Sequence, residues 1–242
     1  MVTKLRGAPE DAPRGVQKVN HIDSLIQLIL AAGSDGEVYR RIMPAIEGYL
    51  GNGDLEPFDN LSKSFLRNED SGPVEEFSAG LYAAVSCNDY PQPFAGSGNR
   101  LRQYSEAIKG LPKNSFYPFS ITEWVSSSAA EFDACLKWPY VAPAEKLKSR
   151  ESLHLPPSLP VLVLSGELDT LTTPDEGRRT ASDIGAGARW VQIANSVHVT
   201  ALDDRFGCAE KIVRDFINNP ISYLDTACAT STPALQLFPP ER

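Results

Sequence analysis

The stretch PVLVLSGELDTLTTP, residues 160–174, runs from an unbroken apolar segment into a turn and meets an acidic residue, Asp169, just past it. An apolar run without polar alternation is the pattern of a strand covered on both faces. Asp is also a common turn residue that bonds its own backbone, so Asp169 gains chemical meaning only from what the fold brings beside it. Downstream, Thr173, Pro174 and Glu176 have the spacing of a capping box that opens a helix. A second apolar run, RWVQIAN (189–195), follows, and then a helical pattern in GCAEKIVRDFINN (207–219). The predicted order strand, helix, strand, helix makes the fold class α/β with a parallel sheet. Two parallel strands alone leave both edges open, so the sheet needs walls from the helical half or strands from outside these residues.

Upstream the pattern is helical. Ile22, Leu25, Ile26, Ile29 and Leu30 define one helix face, and Gly33 ends the run as a C-cap. Val38, Ile42, Ile46 and Tyr49 carry a second helix, with Pro44 expected to kink or break it. Phe77, Leu81 and Val85 carry a third, and Leu101, Tyr104 and Ile108 a fourth that stops at Gly110. SITEW (120–124) is a capping box that should open a fifth helix leading to Cys135 and Trp138. The segment YVAPAEKLKSRESLHLPPSLP (140–160) is rich in proline and charge and reads as a linker. The expected organisation is an N-terminal extension (1–20), a helical region (21–150), a βαβα unit (151–220) and a tail (221–242).

Composition excludes some partners. The 242-residue chain has a formal net charge of -8 and no stripe of Lys or Arg, which argues against nucleic acid. No stretch reaches the roughly 20 apolar residues of a membrane span, and MVTKLRGAPEDAPRG at the start is too polar for a signal peptide. The four cysteines, Cys87, Cys135, Cys208 and Cys228, contain no CxxC pair. They read either as buried thiols or as two disulfides of an exported protein. Cys228 favours the second, because its irregular tail offers a thiol little core but gives a bridge something to pin.

Reactive groups in open α/β sheets sit in loops past the carboxyl ends of strands. Asp169 lies four residues past Ser165, and His198 four past Ala194. If the strands are neighbours, both side chains rise from one rim. A carboxylate that holds one imidazole nitrogen leaves the other free to take a proton from a nucleophile.

GELDTLTTP followed by NSVHVTAL resembles the C-terminal part of α/β-hydrolases of the tripeptidyl-aminopeptidase-like type, which are secreted bacterial serine peptidases. FSAGLYAAVSCNDYPQPF, FYPFSITEW and CLKWP resemble the helical lid that this family inserts before its last two strands. The resemblance implies a partial α/β-hydrolase fold in which 21–150 is the lid, with Asp169 as the triad acid and His198 as the base. It also implies bridges Cys87–Cys135 and Cys208–Cys228, and an extracellular or cell-envelope location. If the lid overhangs the rim, Asn88 and Asp89 could meet a peptide's free amino group, although a polar helix end explains them better.

The chain departs from the family in one respect: it contains no Gly-x-Ser-x-Gly. AGSDG around Ser34 follows a helix, and FAGSGN around Ser97 follows two prolines. The oxyanion-hole segment is missing too. Cys87 stands in the order required of a substitute nucleophile, but its flanks lack the glycines of a sharp turn. Asp169, His198, Asp203 and Asp204 are types that suit zinc without forming a ligand pattern. Thr172 and Thr173 read as turn and cap residues, Trp124 and Trp138 as lid core, and His21 and His154 carry no assignment. The expected function is therefore the C-terminal part of a secreted serine peptidase that needs no cofactor. It would be inactive until an N-terminal hydrolase fragment supplies the serine, and would then act on peptides or small esters. The alternative is a non-catalytic binding or assembly module derived from a hydrolase.

Overall fold

The structure is a computed structural model and describes residues 1–7, 20–69, 78–88, 90, 92–94, 98–127, 134–139, 155–156, 158–202 and 204–238. Phe77, Asp89, Ser97, His154, Asp203 and most of the linker lie outside the described residues. The chain divides into two units, Met1–Gln27 with Ser62–Lys146, and Leu28–Leu61 with Leu147–Arg242.

The second unit contains the sheet. Strand β1 (Val161–Gly166) pairs in parallel with β2 (Ala188–Ile193), in a register from Val161↔Ala188 to Gly166↔Ile193. Among the described residues these are the two strands of the sheet, so it is a partial α/β arrangement. Side chains alternate between faces along each strand. Leu162 and Leu164 of β1, with Val191 and Ile193 of β2, pack against Cys208, Ala209 and Ile212 of a C-terminal helix (Cys208–Asn218) and against Ala229. The opposite face is covered by the crossover helix Pro174–Ile184, which meets Ser165 and Trp190 at Gly177. There the Trp190 indole N–H donates to the Ser165 hydroxyl at 3.1 Å. The crossover helix starts as its sequence requires, with the Thr173 amide and hydroxyl donating to Glu176 at 2.8 and 3.2 Å.

The same unit includes Gly36–Asn52, a helix capped by the Asp35 side chain, which accepts from the amides of Glu37 and Val38. It runs unbroken through Pro44, so the expected break does not occur. Proline has no N–H to give the carbonyl four residues back, that of Arg40. The Arg40 carbonyl instead accepts from the Phe238 amide at 3.1 Å. Its guanidinium donates to the Gln236 carbonyl at 2.7 Å and lies over the Phe238 ring, 3.8 Å from the centroid. The tail is also pinned by the Cys208–Cys228 disulfide and by a bond from the Ala194 amide to the Ala229 carbonyl at 2.8 Å.

In the first unit the Ser120–Glu123 capping box forms and opens Ile121–Val125. Glu123 also receives two bonds from Arg6 of Val2–Arg6, at 2.6 and 2.7 Å, joining the two short helices. Arg6 holds the Glu123 carboxyl down to about 2, with burial opposing and the Ser120 amide assisting. Ala79–Asn88 and the turn Ala134–Lys137 are bridged by the Cys87–Cys135 disulfide. Arg100, at the start of Arg100–Gly110, donates to the carbonyls of Cys135 and Trp138. Trp124 stacks on Phe116 at 5.1 Å between ring centroids.

Three of the expected apolar stripes include exposed residues. Leu81 and Leu101 are 65 and 63 % exposed. On His21–Ala32, Ile29 is exposed while Leu28 is buried. Glu56–Glu69 is a further helix beyond those expected, in which Phe58 and Leu61 have helical spacing and both are buried. Two disulfides are what an oxidising compartment permits. Among the described residues no helix is long and apolar enough to cross a membrane.

Candidate active site

Parallel pairing brings the carboxyl ends of β1 and β2 side by side, and the loops that follow are stitched together. The Glu167 amide donates to the Ile193 carbonyl at 2.9 Å and the Leu168 amide to the Ser196 carbonyl at 2.8 Å. The Asn195 amide donates to the Glu167 carboxylate at 2.9 Å. Gly166 makes this approach feasible, because a side chain there would run into the carbonyls of Ser196 and Val197.

Asp169 is buried, and its carboxylate is fully engaged. Oδ1 accepts from the amides of Leu171 at 2.8 Å and Thr172 at 2.9 Å. Oδ2 accepts from the Thr172 hydroxyl at 2.8 Å and lies 2.9 Å from His198 Nδ1. Burial pushes the Asp169 pKa up, but the bonds from the Thr172 amide, His198, the Thr172 hydroxyl and the Leu171 amide outweigh it and hold the carboxyl below its usual range. The acid therefore stays ionised next to the imidazole.

His198 is oriented through its backbone as well as its ring. Its amide donates to the Gly33 carbonyl at 3.0 Å, at the end of His21–Ala32. The Thr170 hydroxyl donates to the Leu30 carbonyl of the same helix at 3.2 Å. One helix end thus holds both loops. Val199, directly after the histidine, has φ 53, a left-handed conformation that costs a β-branched residue energy and that the surroundings must enforce. The His198 side chain is 29 % exposed, and Nε2 has no hydrogen-bond partner among the described residues. Chemically the arrangement is a carboxylate-anchored imidazole with one nitrogen presented outward.

Residues 120–228 match the abhydrolase family model described as TAP-like protein. The match spans both strands, Asp169 and His198, and it supports a hydrolase-related domain over this part of the chain. No curated protein and no solved structure matches the chain.

The remaining candidates fall elsewhere. Cys87 is bonded to Cys135, so it offers no thiol to act as a nucleophile. Asn88 donates to the Ala84 carbonyl within its own helix, and Asp89 lies outside the described residues. Asp204 accepts from the amides of Phe206 and Glu210. Among the described residues no three His, Cys, Asp or Glu side chains group as metal ligands. Thr172, read from sequence as a turn residue, bonds both Asp169 and His198. The hydroxyl two places past Thr170 carries no signal in the sequence that would separate it from its neighbours.

Proposed function

We propose that this chain supplies the acid and base of a serine hydrolase of the peptidase type and acts as its lid and terminal βαβα portion. The observation that carries the reading is the 2.9 Å contact between Asp169 Oδ2 and His198 Nδ1 with Nε2 left outward. In the complete enzyme Nε2 takes the proton of a serine hydroxyl as its oxygen attacks the substrate carbonyl. The ionised Asp169 stabilises the imidazolium that results. That imidazolium then protonates the leaving amine or alcohol, and water releases the acyl group by the same steps in reverse order. The serine and the oxyanion donors come from outside these residues, since the chain has no Gly-x-Ser-x-Gly. The substrates are peptides attacked near the amino terminus, or small esters, no cofactor takes part, and the enzyme works outside the cell or in the envelope.

Fluorophosphonate labelling tests this. The chain alone should stay unlabelled. A polypeptide in which an apolar strand and a Gly-x-Ser-x-Gly elbow of this family precede the chain should label, and should lose labelling in His198→Ala. Label on the chain alone would contradict the missing serine. Labelling indifferent to His198 would favour the non-catalytic module.

A further inference from the structure

Thr172 Oγ1, Asp169 Oδ2 and His198 Nδ1 form a triangle with sides of 2.8, 2.9 and 3.1 Å. A hydroxyl has one hydrogen to donate. Directed at Oδ2, as the shortest side indicates, it leaves only an acceptor lone pair facing Nδ1. Both groups facing Nδ1 are then acceptors, and an unprotonated Nδ1 would meet two lone pairs with nothing between. The ring must carry its hydrogen on Nδ1, which leaves Nε2 as the basic nitrogen.

We propose that Thr172 is a positioning residue that fixes the tautomer and plane of His198 by occupying the remaining lone pair of Asp169. The proposal rests on the reading of His198 as a base. The geometry is specific to the hydroxyl, because the Thr172 amide bonds Oδ1 separately and survives any substitution of the side chain. With Oδ1 taken by two amides and Oδ2 by Thr172 and His198, all four acceptor sites of the carboxylate are filled and water has none to claim. Without the hydroxyl, one Oδ2 site opens to solvent beside a ring that is itself partly exposed.

The chain has only three histidines, so nitrogen-15 labelling of histidine gives a spectrum in which His198 is readily assigned. The wild-type chain should show His198 in the Nδ1–H tautomer, with that proton slow to exchange with water. Thr172→Val should mix the tautomers and speed the exchange by about tenfold or more, the equivalent of one hydrogen bond to a charged carboxylate. Thr172→Ser should restore both. If Thr172→Val does not fold, Thr172→Ala is read against Thr172→Ser in the same way. A hydroxyl-free variant with wild-type tautomer and exchange overturns the proposal. Asp169→Asn separates the two failures. A response to Asp169→Asn without one to Thr172→Val removes only the role of Thr172, whereas silence in both removes the acid–base pair itself.

Discussion

Replacing Gly33 with alanine puts a methyl group where Thr170 already sits. A Cβ at position 33 would lie 2.6 Å from Thr170 Cβ and closer still to its hydroxyl oxygen, whereas ordinary contacts begin near 3.4 Å. No rotamer change moves a Cβ, so the two backbones must separate by about 0.8 Å, the difference between those distances. Overpacking of this kind costs about 1–3 kcal/mol. The Thr170–Leu30 hydrogen bond at 3.2 Å is lost as well, for about 1 kcal/mol. Alanine returns about 0.4–1 kcal/mol by restricting the unfolded chain. The net destabilisation should be about 1–3.6 kcal/mol, and at about 2–4 °C per kcal/mol for a chain of this size Tm should fall by roughly 2–14 °C. Differential scanning calorimetry reads the shift, and Thr170→Gly in the same chain should recover part of it by removing the obstructing atoms. A Gly33→Ala chain as stable as wild type, or one that Thr170→Gly does not help, would refute the claim that this glycine is held by lack of space.

The folded pKa of Asp169 is depressed, so its stabilisation is complete above the unfolded value of about 3.9 and is lost as pH falls through the folded one. The difference in urea stability between wild type and Asp169→Asn should therefore be large at pH 6 and shrink below pH 4. Glu123 should behave alike, losing its contribution between its ordinary 4.5 and about 2, a window in which Glu123→Gln has nothing to lose. The Cys208–Cys228 bridge closes a separation of 20 residues, so replacing both cysteines by serine should cost about 3 kcal/mol in the chain-entropy account, measured by chemical denaturation.

What could be read from the sequence was local or evenly spaced. The capping boxes at Ser120–Glu123 and Thr173–Glu176 involve residues three apart and form as written. The meeting of Asp169 and His198 was also legible, because equal distances past two strands become adjacent once those strands pair in parallel. The contacts that complete the site were not. His198 to Gly33 and Thr170 to Leu30 span most of the chain, and nothing in the composition near residue 33 points to residue 170. Gly33 itself ends its helix at the expected place for a different reason. It is absent from the positive-φ glycines, and its small size rather than its backbone freedom is what Thr170 requires. The exposed Leu81, Leu101 and Ile29 show that periodicity names an apolar face without saying whether anything covers it.

Pro44 leaves its helix with a vacant rung, and the last part of the polypeptide fills it. Arg40 and Gln236 stand 196 positions apart, yet one arginine offers the tail a carbonyl, a guanidinium and a flat cation for Phe238 to lie against. Trimming the chain before residue 236 would be felt in the second turn of that helix, as a carbonyl with nothing left to answer it but water.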